Sequence, residues 1–251
     1  MTFARLSKAA LLGCLLPGFV LLAADNDENT SIRRFSAGIH VIYFPFPLLR
    51  GEVGTTFTTN PVAQYNTFGT SDSPKWSPGA QVEYRLSTHL AVAAELHFHH
   101  AGFTETTNLL SGANTSTTGG DNRPVTLIVQ TSQANYYEVP LLLHYYGLWN
   151  HGWKRRLYLS LGAQLLHVGK IRTANDFTYP NGATDYNENP VTPNHANTVG
   201  GVFGIGMRFI DEFHIRISPE ARIVYWENPA FSTTGYRSSP YQLECGVGIA
   251  F

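Results

Sequence analysis

The stretch "YQLECGVGIAF", residues 241–251, alternates between two kinds of side chain along its whole length. Every second residue is apolar or aromatic: Tyr241, Leu243, Cys245, Val247, Ile249 and Phe251. The residues between them are small or polar: Gln242, Glu244, Gly246, Gly248 and Ala250. Because successive side chains of a β-strand point to opposite faces, this stretch predicts a strand with one apolar face and one polar face.

The same alternation recurs along the chain, and the segments that carry it are joined by connections of unequal length. The predicted strands are 35–46, 76–87, 90–103, 134–146, 156–168, 198–210, 213–226 and 240–251. The short connections are 88–89, 147–155 and 211–212, and the long ones are 47–75, 104–133, 169–197 and 227–239. This order predicts an all-β fold, an eight-stranded antiparallel up-and-down barrel with its long loops at one end.

Two prolines fall inside the predicted strands. Pro140 and Pro219 each lack the backbone N–H that a strand ladder requires. We therefore expect a bulge or an outward bend at both positions.

Strands of this kind build two opposite kinds of barrel. A secreted, lipocalin-like barrel turns the apolar face inward around a ligand, whereas a transmembrane barrel turns it outward into lipid. The alternation alone fits both. The transmembrane barrel is favoured because the polar face contains many small residues, such as Gly162, Gly204 and Gly248, which suit the narrow interior of an eight-stranded barrel.

The polar face also carries charges of both signs in near balance. A confined lumen needs this balance because an unpaired buried charge is costly, whereas a surface in water does not. The predicted lumen charge network comprises Glu83, Arg85, Glu95, His97, His99, Glu138, Arg208, His214, Arg216, Glu220, Arg222 and Glu244.

Aromatic residues of the apolar face fall at two levels. Those toward the long loops are Tyr43, Trp76, Tyr137, Tyr225 and Tyr241, and those toward the short turns are Tyr145, Phe209, Phe213 and Phe251. Aromatic girdles mark the two interfaces of a membrane barrel, where rings meet the lipid headgroups. We therefore predict a transmembrane barrel with these residues at the membrane interfaces.

The first residues have the order of a secretory signal peptide. Arg5 and Lys8 precede an apolar run at 9–22, and Ala23 and Ala24 precede polar sequence. This order predicts a signal peptide at 1–24 and a barrel domain at 25–251. A lipoprotein cleavage box ending at Cys14 is the weaker alternative, because the apolar run continues beyond that cysteine.

Two segments resemble a known family. "YYEVPLLLHYY", residues 136–146, and "ISPEARIVYW", residues 217–226, are similar to strands of the bacterial outer-membrane β-barrel domain group that includes the PorT-like proteins. The resemblance implies the outer membrane of a Gram-negative cell, with periplasmic termini and extracellular long loops. It also implies an accessory role in protein export, and the terminal Phe251 implies transient contact with the barrel-assembly machinery.

The sequence gives little evidence for a metal site or a catalytic site. "HFHH", residues 97–100, places His97 and His99 on one face beside Glu95, a set that could bind zinc, but no ligand from a neighbouring strand is evident. The His-x-Ser pair of outer-membrane lipid deacylases does not occur in the sequence, since Gly169 follows His167 at the second position. We therefore predict no enzyme activity, no metal and no cofactor.

Three functions stay open. A non-enzymatic structural, adhesive or export-accessory barrel is favoured, because eight strands leave an interior filled by side chains. The alternative is a narrow, porin-like pore for water or small solutes, and a lipid-modifying enzyme is weaker. With 14% charged residues and a net charge of −1, the chain gives no indication of a nucleic-acid partner. The predicted partners are membrane lipid and an unknown ligand of the long loops.

Overall fold

The computed structural model describes residues 34–59, 62–112, 125–146, 156–210 and 215–251. The described strands are β1 (Phe35–Tyr43), β2 (Leu49–Gly51), β3 (Val53–Thr59), β4 (Val62–Ser71), β5 (Trp76–Arg85), β6 (Leu90–Gly112), β7 (Leu127–Tyr146), β8 (Leu157–Thr178), β9 (Thr184–Asn187), β10 (Asn197–Met207), β11 (Phe209–Ile210), β12 (Arg216–Trp226), β13 (Tyr236–Ser238) and β14 (Tyr241–Ala250). The predicted signal peptide (1–24), Phe213 and His214 lie outside the described residues. Within this part of the chain, no helix is long and apolar enough to cross a membrane.

Eight of these strands form a closed antiparallel ring. Its order is β1–β5–β6–β7–β8–β10–β12–β14, and β14 pairs with β1 to complete it. At this closure Ile39 lies opposite Ile249, and Val41 lies opposite Val247. The predicted eight-stranded antiparallel barrel is therefore confirmed, since each of the eight strands pairs on both sides.

The two ends of the barrel differ in the length of their connections. The turns from β5 to β6, from β7 to β8 and from β10 to β12 lie at the end that also holds the start of β1 and the end of β14. We call this the short-turn end. The long connections, which contain β2–β4, β9 and β13, lie at the opposite end, which we call the extended end.

Three strands of the ring continue far beyond the other five. β6, β7 and β8 contain 23, 20 and 22 residues. The other five contain between 9 and 11, the length that crosses a hydrocarbon layer. Past the barrel, β4 pairs with β6, β3 with β4 and β9 with β8. This gives a sheet in the order β3–β4–β6–β7–β8–β9, which we call the extension sheet.

The extension sheet corrects part of the sequence prediction. Residues 53–59, 62–71, 104–112, 127–133 and 169–178 were predicted as loops from their Thr and Asn content, and they form strands. Threonine favours strands because its branched side chain fits a pleated surface. The period-two contrast between polar and apolar residues is weak in these strands because their buried face is itself partly polar, with Thr67, Ser132 and Thr173 buried.

The predicted bulge does not form at either Pro140 or Pro219. The register does not shift at Pro140, which lies opposite Gln164, or at Pro219, which lies opposite Val247. Instead, the pairing on the other side of each proline is interrupted: β6 and β7 skip the rungs at Glu95 and Leu96. A missing donor therefore opens the ladder on one side only and leaves the register intact.

The outer surface of the barrel is an apolar belt. Its most exposed side chains include Leu161 at 61%, Ile39 at 58% and Phe203 at 56% exposure, each near the middle of the part of its strand that lies in the barrel. The polar residues that alternate with them are buried inside the ring. A continuous exposed belt of Leu, Ile, Val and Phe is the surface that a transmembrane barrel presents to lipid.

We expect a charged residue on the apolar belt to lower the free energy of unfolding by an amount that depends on its depth in the bilayer. Leu161→Arg should lower the free energy of unfolding by about 2–4 kcal/mol, because the guanidinium would lie at the bilayer midplane. The matched control Leu86→Arg, at the short-turn end and also exposed, should cost about 0–1 kcal/mol. Urea unfolding in lipid vesicles measures both values. Equal costs at the two depths would contradict a membrane-spanning belt.

Candidate functional site

Arg222 lies at the centre of the lumen and contacts three carboxylates. Its Nη2 lies 2.9 Å from Glu95 Oε2, its Nη1 lies 3.1 Å from Glu220 Oε1, and its Nε donates to Glu244. Arg222 and Glu244 are register partners on β12 and β14, whereas Glu95 comes from β6 on the far side of the ring. The guanidinium therefore connects β12 and β14 to β6, which pairs with neither of them.

Glu95 also accepts hydrogen bonds from two histidines. His40 Nδ1 lies 3.0 Å and His97 Nε2 lies 2.8 Å from the same Oε2 atom. The three groups offer ligand atoms within 4.8 Å of one another, as a metal site would require. However, Arg222 contacts that same oxygen, and its positive charge opposes a second cation there. The arrangement fits a hydrogen-bonded cluster better than a metal centre.

Histidine 40 supplies the ligand that the "HFHH" pattern lacked, and His99 takes no part in this cluster. His99 lies closer to the extended end of the lumen, and its Nε2 is 3.9 Å from Glu138 Oε1. His100 is exposed on the outer face. The predicted grouping of Glu95 with both His97 and His99 is therefore wrong for His99, because His97 turns toward β1 while His99 packs beside Phe44 and Tyr136.

Two glutamines extend the network toward the extended end. Gln164 Nε2 donates to Glu138 Oε2 at 2.8 Å and to Glu244 Oε1 at 3.2 Å. Gln242 Oε1 accepts a 3.0 Å bond from Trp226 Nε1. Both glutamines are almost fully buried, and their amides donate to Glu138 and to the Glu244 oxygen that Arg222 does not bind.

A second cluster occupies the short-turn end. Glu83 Oε2 accepts hydrogen bonds from His144 Nδ1 at 3.0 Å and from the Tyr146 hydroxyl at 2.9 Å. Three guanidinium groups surround its other oxygen at 3.7–3.9 Å, those of Arg85, Arg208 and Arg216. The polar interior thus has two parts with different compositions.

Charge is segregated along the lumen. The sequence predicted near balance, and the described lumen residues do contain five glutamates and four arginines in the predicted network. Four of those glutamates, however, lie in the central part with the single Arg222, whereas the short-turn cluster has three arginines around Glu83. Positive and negative charges are therefore nearly equal in number over the described lumen as a whole, but not within the central part or the short-turn cluster.

Inward-facing glycines make room for the large polar side chains. A β-carbon at Gly206 would overlap the ring of Tyr158, and one at Gly246 would overlap the ring of His40. At Gly201, on the outer face, a β-carbon would meet nothing within 4 Å. The small residues therefore sit where the bore is crowded, as the sequence analysis inferred.

Apolar side chains close the extended end of the lumen. Phe44, Phe103, Phe231 and Tyr236 are at most 1% exposed and pack in one cluster above the ionic network. Loop residues around β2 and β13, which pair with each other, form this cap. Glu105 lies in the extension sheet beside Thr233 and Gly235, and burial raises the pKa of its carboxyl although Thr233 donates to it.

The described lumen holds little free space. One cavity of about 30 Å³ lies beside Glu83, His144 and Arg216, and one of about 20 Å³ lies under the cap beside Tyr136 and Trp226. A buried water needs roughly 10–15 Å³ of such volume. Each cavity therefore has room for one or two waters.

The structure places the predicted interface aromatics on the outer face at two levels. Toward the extended end, Tyr43 pairs with Trp76 at a ring-centroid distance of 4.7 Å, and Tyr225 pairs with Tyr241 at 5.1 Å. Tyr137 pairs with Phe98, which the sequence analysis did not include. Toward the short-turn end lie Tyr145, Phe209 and Phe251, of which Phe251 is 61% exposed.

Several lumen residues were missed as members of the network. His40, Gln164 and Gln242 lie on the predicted polar face but were not included in the site, and Tyr146 and Tyr158 were not considered as members. Tyr158 donates a 2.8 Å hydrogen bond to Glu220. The sequence did contain a signal for them, because in the alternating pattern they fall on the same strand face as the charged residues. A neutral polar side chain that faces the lumen also needs a hydrogen-bond partner.

The closed ring, the apolar belt and the ionic interior define an eight-stranded transmembrane β-barrel. No protein-family model matches the chain, so the PorT-like resemblance stays a prediction. No curated protein sequence matches it either.

Similar solved structures include Neisserial surface protein A, with 9% identity, a TM-score of 0.33 and coverage of 86% of this chain and 95% of that one. Ail, the attachment invasion locus protein of Yersinia pestis, has 11% identity, a TM-score of 0.32 and coverage of 87% and 99%. The outer membrane protease OmpT from Escherichia coli has 10% identity, a TM-score of 0.29 and coverage of 90% and 97%. These scores are too low to support an inference, so the fold assignment rests on the ladders.

We expect removal of Arg222 to destabilise the barrel strongly. Arg222→Met should lower the free energy of unfolding by about 3–5 kcal/mol, because Glu95, Glu220 and Glu244 would lose their shared buried cation. The control Arg172→Met, an exposed position of the extension sheet, should change it by no more than about 0.5 kcal/mol. Urea titration followed by gel mobility of unboiled samples measures both. Similar small effects would show that the central network does not hold the barrel together.

Proposed function

We propose that this protein is a non-enzymatic barrel of the bacterial outer membrane that presents the extension sheet as a recognition surface outside the cell. In barrels of this kind the short turns face the periplasm and the longer connections face the exterior. The short-turn end, with both β1 and β14 termini, is then periplasmic, and the extension sheet is extracellular. Insertion by the barrel-assembly machinery is part of this proposal.

The observation that carries the proposal is the continuation of β6, β7 and β8 out of the barrel. The segment 103–112 of β6 reaches roughly 30 Å beyond the belt along the strand. Its ladder is continuous with that of the barrel on the β7 side, from Val92 opposite Leu143 to Asn108 opposite Leu127, apart from the rungs near Pro140. The extension is therefore held by backbone hydrogen bonds to a membrane-anchored ring, which makes it a rigid platform rather than a loose loop.

One edge of the extension sheet has features of a binding strand. Among the described residues, β3 pairs along its length with β4 only. Its sequence, "VGTTFTT", contains no charge and no proline, the two devices that commonly block strand addition at an edge. Val53 is 77% exposed and Phe57 is 73% exposed on the same face. An extended polypeptide could add to this edge, with its side chains against that apolar face.

The filled lumen supports an anchor rather than a pore. Paired charges occupy the centre of the bore, and the apolar cap lies over them at the extended end. Large side chains in contact across the bore leave no volume for a hydrated solute. An export-accessory role is compatible with the same external surface, since a secreted chain would also be captured as an extended segment.

We expect purified protein in planar lipid bilayers to give no steady conductance, because the described lumen holds only small separate cavities. A porin reconstituted under the same conditions provides the positive control. Step-like currents that increase in number with the amount of protein would favour the pore instead.

We expect a phage-displayed peptide library, selected on the intact barrel in detergent, to yield peptides rich in β-branched residues. Binding should fall at least about ten-fold in Phe57→Lys, since the charge blunts the apolar edge at β3. The matched control Tyr186→Lys, on the opposite edge strand β9, should bind normally. Unboiled gel mobility confirms that each variant is folded. The proposed surface is wrong if selected peptides bind all three proteins equally.

A further inference from the structure

The ladder between β7 and β8 contains a β-bulge where β8 leaves the barrel for the extension sheet. The register shifts between the rungs at Val168 and Ile171. Gly169 and Lys170 therefore both lie opposite one residue of β7, Asn135. Bulges of this kind redirect the side chains that follow them, and they are common at the rims of barrels.

The bulge reverses which side chains of β8 point outward. Up to His167 the odd-numbered residues are the more exposed ones. Beyond the bulge, Ile171 packs against the core and Thr173 is buried. Lys170 and Arg172 are exposed there instead. Because a shift of one residue exchanges the two faces of a strand, the bulge places both cations on the outer face, where an unbroken strand would have turned them inward.

The two cations lie at the height of the lipid headgroups at the extended end. Tyr137, a residue of the aromatic girdle, marks the edge of the apolar belt there. The bulge lies opposite Asn135, two residues further along β7, which is a rise of about 7 Å. The headgroup layer is roughly 5–7 Å deep on each side of the hydrocarbon. Lys170 therefore lies in that layer, and Arg172 is long enough to reach back into it.

The ring of Tyr137 packs beside the bulge. A β-carbon at Gly169 would come within 2.9 Å of Tyr137 Cε2, so the glycine leaves space for this ring next to Lys170. His167 lies opposite Tyr137, with the two ring centroids 6.3 Å apart, and its Nδ1 donates to Asn197 Oδ1 at 2.7 Å. An aromatic ring thus lies at the hydrocarbon boundary with cations above it, in the order in which a lipid presents its acyl chains and its headgroup.

Lys170 and Arg172 form no ion pair with a carboxylate among the described residues. The outward-facing residues on the adjacent rungs of β6 and β7 are not acidic: they are His100, Gln133 and Asn135. Asp176 points outward on β8 but lies four residues beyond Arg172, about 13 Å along the strand. Asp72 lies on the far side of β6, where its N–H donates to Gly102. The outer face of β8 is therefore locally positive at the headgroup level.

We propose that Lys170 and Arg172 bind the phosphate of an anionic lipid headgroup at the extended-end membrane interface, with Tyr137 against the start of the acyl chains. The guanidinium binds phosphate oxygens with paired, charge-assisted hydrogen bonds, and the ammonium adds a second positive charge. The height of the apolar belt defines the site, so it holds for either orientation of the barrel. It lies on the outer face of β8 and does not involve the β3 edge.

The test measures lipid binding to the full-length protein in the uncharged detergent dodecyl maltoside, by native mass spectrometry. Phosphatidylglycerol and phosphatidylcholine with identical acyl chains are titrated, and the dissociation constants of the first bound lipid are compared. We expect phosphatidylglycerol to bind at least about ten-fold more tightly. Lys170→Gln combined with Arg172→Gln should abolish this preference, because each cation near an anionic lipid contributes about five-fold in affinity.

The matched control is Arg50→Gln combined with Arg237→Gln, which also removes two positive charges at the extended end. These arginines are exposed and lie opposite each other on β2 and β13, a ribbon that pairs with no strand of the ring. The control variant should keep the preference for phosphatidylglycerol. Lys170→Arg should keep it too, because the charge is retained. Unboiled gel mobility shows whether each variant is folded.

The proposal is overturned if the parent protein binds the two lipids alike, or if the preference survives in the Lys170 and Arg172 double variant. Inorganic phosphate, added at constant ionic strength, tests a free anion as the ligand. Displacement of phosphatidylglycerol by an equal concentration of phosphate would also overturn the lipid assignment. Loss of peptide binding at the β3 edge would leave all of these results unchanged, because no residue of that edge belongs to the site.

Discussion

Closing eight strands into a ring leaves a bore that is only wide enough for its own side chains. A polar group that points inward therefore depends mainly on partners inside the bore. Arg222 shows how this is met, since it binds carboxylates from β6, β12 and β14 at once. The lumen network consequently joins opposite walls of the barrel, in addition to the ladders that join neighbouring strands.

The same narrowness explains where glycine and large residues occur. Gly206 faces Tyr158 and Gly246 faces His40, so each bulky polar ring lies over a residue without a side chain. The outer wall meets lipid and has no such limit, which is why Gly201 has open space around it. Crowding also accounts for the small cavities, and it makes the barrel a solid anchor.

The two ends of the barrel differ because they continue into different structures. At the extended end, apolar residues such as Phe103 and Phe231 seal the bore beneath the extension sheet. At the short-turn end no comparable apolar cap is present among the described residues, and Glu83, Arg208 and Arg216 line a small cavity instead. The extension sheet and the short-turn end are thus separated by the full ionic network.

The sequence by itself determined the strand number, the inward and outward faces and the short-turn end, because side-chain parity and lipid contact act on each strand locally. It also indicated that Glu95 and His97 face inward. Only the tertiary structure decided that His40 rather than His99 joins them, and that the arginines gather around Glu83. Those contacts cross the bore between strands that are not paired with each other. The distances between such side chains depend on the tilt and register of all the strands together, which no single strand sequence specifies. The extension sheet was equally hidden, since its buried face includes polar residues such as Thr67 and Ser132, so its strands carry little contrast between polar and apolar residues.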